Sequence, residues 1–183
     1  MWVVTNKEEM EALENQRALI GVFVDRNYNP EKIEWLFQAR EGFDQHVGAD
    51  WHLLIPFKNG YGVNSFMDPK NYGVQLAASI IDELEIPFAA LPCVVFRASE
   101  KDYFFLKLGG MENAKFLEEI GRIADLAKEC AKIGPKDPQA FKEYVNTQVL
   151  VHLRRRQLLS AAARALPALG ILIGGAIDIA ELV

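Results

Sequence analysis

Two cysteines, Cys93 and Cys130, are the residues of this chain that could do thiol chemistry. A thiol exchanges disulfides as the thiolate, and it needs a second thiol close by to resolve the mixed disulfide. Cys93 opens an apolar run that ends at Phe96, where a lone cysteine is usually a small buried residue. Cys130 falls on the apolar stripe of a predicted helix. We therefore expect two core cysteines, with Cys93 as a candidate for single-thiol catalysis.

A second pattern with chemical meaning joins a strand to a helix. The continuous apolar run from Ala18 to Val24 has the length of a buried strand, and Pro30 suits the first position of a helix. The junction reads Tyr28-Asn29-Pro30-Glu31-Lys32. Glu31 favours the positive end of the helix dipole, and a tyrosine ring suits a contact surface. These residues predict a recognition patch, and the alternative is a solvated first turn with one packed tyrosine.

The rest of the chain to residue 134 alternates between helical and strand patterns. Asn6 as an N-cap predicts a short polar helix over 7–16. Apolar patterns predict helices over 30–48, 70–84 and 112–132, and strands over 18–24, 51–57, 93–96 and 103–108. Residues 58–69 carry glycines and aromatics without periodicity, which is typical of a functional or mobile loop. This order predicts an α/β fold with a mixed sheet flanked by helices.

The order and two of its motifs resemble the thioredoxin-like superfamily over roughly residues 17–130. In that family a cis proline precedes the third core strand, and Pro92 in Leu91-Pro92-Cys93 matches it. The family carries its two redox cysteines where Tyr28 and Glu31 stand here. The resemblance implies a divergent, redox-inactive member whose inherited binding surface is marked by Tyr28, Asn29, Pro30, Glu31, Pro92 and Cys93.

The C-terminal region differs from the rest in charge and apolar content. A predicted helix from Pro138 is interrupted at Arg154-Arg155-Arg156, and 20 residues then run from Leu158 to Ile177. That length could cross a bilayer, but Arg164 and Pro167 inside it disfavour a simple span. We expect a second short helix from Pro167, forming a helical hairpin or docking on another chain. Candidate oligomer or membrane contacts are Arg154, Arg155, Arg156, Leu169, Gly170, Ile173 and Gly174.

The composition of the chain argues against several classes of function. The net charge of −5 disfavours a nucleic-acid binder, because phosphate neutralisation needs clustered cations. Two scattered cysteines and three scattered histidines predict neither a metal site nor a disulfide framework, and no pattern points to a cofactor. The acidic start resembles neither a secretory signal nor a transit peptide. We expect a cytoplasmic protein, with a location peripheral to the membrane as the alternative.

These observations predict a thioredoxin-like domain over 1–134 and an α-helical extension over 135–183. The leading hypothesis is a non-catalytic binding or adaptor protein that forms a homo-oligomer, or docks a protein partner, through its C-terminal helices. One alternative is a membrane-associated effector that uses residues 158–183. The other is a single-thiol or glutathione-dependent enzyme that uses Cys93.

Overall fold

The computed structural model of this chain describes residues 1–26, 30–58, 68–97, 102–160, 169–173 and 176–178. Within these ranges the helices and strands alternate along most of the chain, and Pro69–Asn71 and Phe88–Ala90 are short 3-10 turns. The elements are β1 Trp2–Val4, α1 Lys7–Glu14, β2 Leu19–Val24, α2 Pro30–Val47, β3 Trp51–Pro56, α3 Val74–Glu83, β4 Cys93–Arg97, β5 Asp102–Lys107, α4 Asn113–Ile133, α5 Pro138–Ser160, β6 Leu169–Ile173 and β7 Ala176–Asp178.

One mixed sheet organises the fold. Its five central strands lie in the order β1-β3-β2-β4-β5, with β1, β3 and β2 parallel and β4 and β5 antiparallel to their neighbours. β6 and β7 extend this sheet to seven strands beyond β5, both in antiparallel pairing. The predicted α/β class with a mixed sheet flanked by helices is confirmed, and the architecture is compatible with a thioredoxin-like fold.

Helices cover both faces of the sheet. One face packs against α2, α4 and α5 around Trp51 and Phe96, and the other packs mainly against α1 and α3. Every residue of β2 and of β3 is buried, because a strand covered on both faces exposes neither set of side chains. The continuous apolar runs that predicted these two strands therefore reflect their central position.

α5 is anchored to the sheet domain by an apolar stripe. Phe141, Val145, Val149 and Leu153 recur every four residues, are at most 5% exposed and belong to the same cluster as α2 and α4. Residues with this spacing lie on one face of a helix. α5 thus completes the cover of one face of the sheet. None of the helices in the described ranges is long and apolar enough to cross a membrane.

The predicted interruption of this helix at the arginines is wrong. α5 continues through Arg154 and Arg155 to Ser160. Arginine is a good helix former, and its long side chain keeps its charge in water while the backbone stays helical. Three consecutive arginines therefore need not break a helix whose opposite side is already buried.

The second helix predicted from Pro167 is also wrong within the described residues. Residues 169–173 and 176–178 form β6 and β7, so the contact candidates Leu169, Gly170 and Ile173 lie on a strand. Gly174 lies outside the described residues, as does most of the predicted loop at 58–69. A short apolar run rich in isoleucine fits a buried strand as well as a helix, and pairing with β5 decides between them.

The sequence patterns did not predict β1. A buried histidine on β3 helps to hold β1 in the sheet. His52 on β3 is 2% exposed, and its Nδ1 accepts a hydrogen bond from Trp2 Nε1 at 3.0 Å. Its Nε2 donates to Gln16 Oε1 at 2.9 Å. One ring nitrogen accepts and the other donates, so the ring is neutral. Burial, and then the nearby N-terminal ammonium, lowers the pKa of His52.

We expect His52 to make the stability of this protein depend on pH. The pKa of His52 is lower in the folded chain than in the unfolded chain, where it is about 6.5. As pH falls below neutrality the unfolded state binds the proton first, so the free energy of unfolding decreases until the folded pKa is passed. Urea unfolding between pH 8 and pH 5 measures this loss.

The control for this effect is His52→Gln, which keeps a donor and an acceptor but does not titrate. Burial and Arg122 also lower the pKa of His152, so wild type contains a second contribution of the same sign. The difference between wild type and His52→Gln cancels that contribution. Parallel pH profiles for the two proteins would show that His52 is not linked to folding.

Candidate binding face at the start of α2

The sheet register brings Pro92 to the end of β2. Val24, the last residue of β2, pairs with Cys93, the first residue of β4. The chain that leaves β2 toward α2 therefore lies at the same end of the sheet as the Leu91-Pro92 peptide, which is cis. The predicted proximity of Pro92 to the strand-to-helix junction agrees with this register, although Tyr28 and Asn29 lie outside the described residues.

The segment after β5 holds the cis peptide in place. The backbone N–H of Leu108 donates to Pro92 O at 2.8 Å. A Cβ on Gly109 would lie 3.1 Å from Leu91 O, so this close approach of two backbones favours glycine. Gly109, the first glycine of the Gly109-Gly110 pair that follows β5, thus lies against the cis peptide from the side opposite β2.

The first turn of α2 is hydrogen-bonded to the segment that follows β5. Pro30 is the first residue of α2, and Glu31 beside it is exposed. Lys32 is 7% exposed, its Nζ donates to Met111 O and it lies 3.6 Å from the centroid of the Trp35 ring. Burial lowers the pKa of Lys32. The start of α2, the cis peptide and residues 109–111 therefore form one face, which we call the α2 face.

Buried polar groups lie beneath the α2 face. Tyr72 is fully buried, and its hydroxyl accepts from Asp25 N at 2.7 Å and donates to Asp25 O at 3.2 Å. Burial raises the pKa of Tyr72, so its phenol stays neutral. These bonds hold the first residue after β2 and so fix the direction in which the chain leaves the sheet.

Both cysteines are buried and protonated in this arrangement. Cys93 is 0% exposed, and burial, followed by the charge of Asp25, raises the pKa of its thiol. Cys130 is 2% exposed, and burial raises its pKa as well. Disulfide exchange starts from an accessible thiolate. The α2 face therefore has no accessible thiol among its described residues.

Several residues of this face carried a sequence signal that was not assigned to a site. Phe88 is 69% exposed in the short turn that leads to Pro92, where an aromatic side chain flanked by prolines was the available signal. Lys32 belongs to the quoted junction motif, and Gly109 is the first of two consecutive glycines after β5. Met111 had no sequence signal, because its role is played by its backbone carbonyl.

The C-terminal candidates do not join the α2 face. Arg154 and Arg155 are exposed near the end of α5, and Leu169, Gly170 and Ile173 lie on β6, beyond β5. In the described part of the chain no group of His, Cys, Asp and Glu is placed to hold a metal ion. No family model, curated protein or solved structure matches this chain.

Proposed function

We propose that this chain is a redox-inactive, thioredoxin-like binding or adaptor protein that docks a partner on its α2 face and self-associates through its C-terminal region. The observation that carries the proposal is the burial of both cysteines. Glu31 stands at the start of α2, whereas Cys93 and Cys130 are both buried with raised thiol pKa values. A scaffold of this kind keeps a shaped surface and lacks the reacting group.

The α2 face has the properties of a contact surface. Glu31 is exposed, Pro92 is half-buried, and Phe88, four residues before Pro92 in the chain, is 69% exposed. Below them, the contacts of Lys32 and Gly109 fix the backbone, so little order is lost when a partner binds. An exposed aromatic on a rigid support is typical of an interface anchor.

Thiol reactivity tests the redox part of this proposal. We expect a thiol reagent to find no fast-reacting cysteine in the native chain and two after denaturation, because Cys93 and Cys130 are buried. We also expect no acceleration of insulin reduction by dithiothreitol. The positive control is the double variant Tyr28→Cys and Glu31→Cys, which should form a disulfide and accelerate that reduction. A wild-type activity lost in Cys93→Ala would instead support the single-thiol enzyme.

A further inference from the structure

The bond between Trp2 and His52 joins the short strand β1 to β3. β1 is three residues long, and β3 is its one neighbour among the described strands. The side chain of Trp2 is 47% exposed, whereas His52 is 2% exposed. Because β1 supplies the group that is bonded to Nδ1 of His52, opening of β1 brings that side of the ring to water.

The chemistry of its two partners fixes the tautomer of His52. An indole N–H can only donate, so Nδ1 must be the acceptor and Nε2 carries the proton. Nε2 donates to Gln16, in the connection between α1 and β2. A second proton would go to Nδ1, where it would face the N–H of Trp2 across the 3.0 Å that the bond now spans. Protonation therefore breaks the bond to β1 and leaves the bond to Gln16 intact.

The surroundings of His52 do not compensate for an added proton. Its register partner Ile20 on β2 is apolar and buried. The rings of Trp2 and His52 are nearly perpendicular, at 87°, and the indole turns its N–H edge to the imidazole, so its negative face is not offered to a cation. Asp50 is the nearest acid in sequence, yet no carboxylate of the described residues raises the pKa of His52, which burial and the N-terminal ammonium lower.

The charged groups of the neighbouring elements already have partners. The pairs are Lys7 with Glu83, Glu14 with Arg97, and both the N-terminal ammonium and Arg40 with Asp44. The ammonium is the one that acts on His52, and it has the same sign as an imidazolium. A protonated ring is therefore better accommodated in water than behind β1.

We propose that His52 is a pH-sensitive switch whose protonation favours release of β1 from β3 while the central strands stay paired. None of its groups belongs to the α2 face, so this switch is independent of the binding function proposed above. Once β1 opens, His52 titrates in water with a pKa of about 6.5. Between that value and the lower pKa of the closed form, opening takes up one proton. The open population should therefore rise about tenfold for each pH unit by which the pH falls in this interval.

Two sets of backbone amides distinguish release of β1 from unfolding of the whole domain. The open form is a minor one at neutral pH, because Met1 and Val4 are buried on either side of the exposed Trp2. The N–H of Phe57 donates to Val4 O at 2.7 Å, so it is protected while β1 is in place. β2 is paired on both sides, and its slowest amides report global unfolding.

Native-state hydrogen exchange of the full chain between pH 7.5 and pH 5.5, followed by NMR, tests the switch. We expect the protection factor of the Phe57 N–H to be smaller than those of β2, to respond little to low urea, and to fall about tenfold per pH unit in the stated interval. His52→Gln should remove this pH dependence. The matched control His152→Gln removes a histidine on α5 and should keep it. Trp2→Phe loses the donor and should lower the protection of Phe57 at pH 7.5.

Three results would overturn the switch. Equal protection and equal urea dependence of Phe57 and β2 would show that β1 opens only when the whole domain unfolds. The same pH dependence in wild type and His52→Gln, or its loss in His152→Gln, would assign the proton to another group. Unchanged protection of Phe57 in Trp2→Phe would show that the bond to His52 does not hold β1, and this variant decides the question where His52→Gln does not fold.

Discussion

Replacing Gly73 with alanine should lower the free energy of unfolding by about 3 kcal/mol. A Cβ at this position would lie 2.7 Å from Phe57 O and 2.8 Å from both Phe57 C and Phe57 N. The obstacle is backbone rather than a flexible side chain, so β3 and the start of α3 would have to separate. Gly73 also donates to Pro56 O at 2.9 Å, and that bond would lengthen.

Gly121→Ala is the matched control for Gly73→Ala. Gly121 is an exposed glycine in α4, and a Cβ there would meet nothing within 4 Å. Alanine is the better helix former, so this variant should be more stable than wild type by about 0.5–1 kcal/mol. Urea unfolding of the three proteins, followed by circular dichroism, measures both changes. Similar midpoints for the two variants would contradict the close approach at Gly73.

The effect of Gly73→Ala should reach the α2 face. Tyr72 precedes Gly73, forms a bridge with Phe57 and bonds both backbone groups of Asp25. A shift of the start of α3 therefore moves the group that holds the chain where it leaves β2. We expect Gly73 to matter for the α2 face through Tyr72, without contacting a partner itself.

The central elements could be predicted because each has a strong local signal. β2 and β3 are continuous apolar runs of strand length, and α2 begins at Pro30, which has a fixed φ suited to the first helical turn. The cis form of Pro92 was expected from the family resemblance, and the structure has it cis beside the end of β2. Where one local rule dominates, sequence reasoning located the element.

Other features depend on partners that are distant in sequence. β1 is three residues long, and its pairing with β3 defines it more than its own composition does. β6 was predicted as a helix, because its pairing with β5 leaves no periodic signal. The contact of Lys32 with Met111 O joins residues 79 apart and involves a backbone atom. No spacing rule can predict such contacts.

Arg17→Ala should be the second large loss, about 2–4 kcal/mol. Arg17 precedes β2 and reaches the turn between α4 and α5. Its Nε donates to Pro135 O at 2.8 Å, and its Nη2 donates to Ala131 O at 3.1 Å and to Gly134 O at 3.3 Å. The carbonyls at a helix C-terminus have no partner within the helix and carry partial negative charge, so a cation there satisfies both needs.

The guanidinium of Arg17 also packs against the first turn of α5. Its central carbon lies 4.1 Å from the centroid of the Phe141 ring, which is fully buried. Arg17→Lys should therefore recover only part of the loss, because one ammonium cannot contact three carbonyls and stack on a ring. Arg122→Ala is the control: Arg122 pairs with Glu118 one turn away on the surface of α4, and such a pair contributes about 0.5 kcal/mol or less.

Unfolding midpoints of Arg17→Ala, Arg17→Lys and Arg122→Ala rank these contributions. Full recovery in Arg17→Lys, or a loss in Arg17→Ala no larger than in Arg122→Ala, would show that the turn is held by other contacts. If the expected order is found, one side chain joins the start of β2, the end of α4 and Phe141 of α5. The position of α5 then depends on Arg17. Because the segment that forms β6 and β7 follows α5 in the chain, the point where that segment starts depends on Arg17 as well.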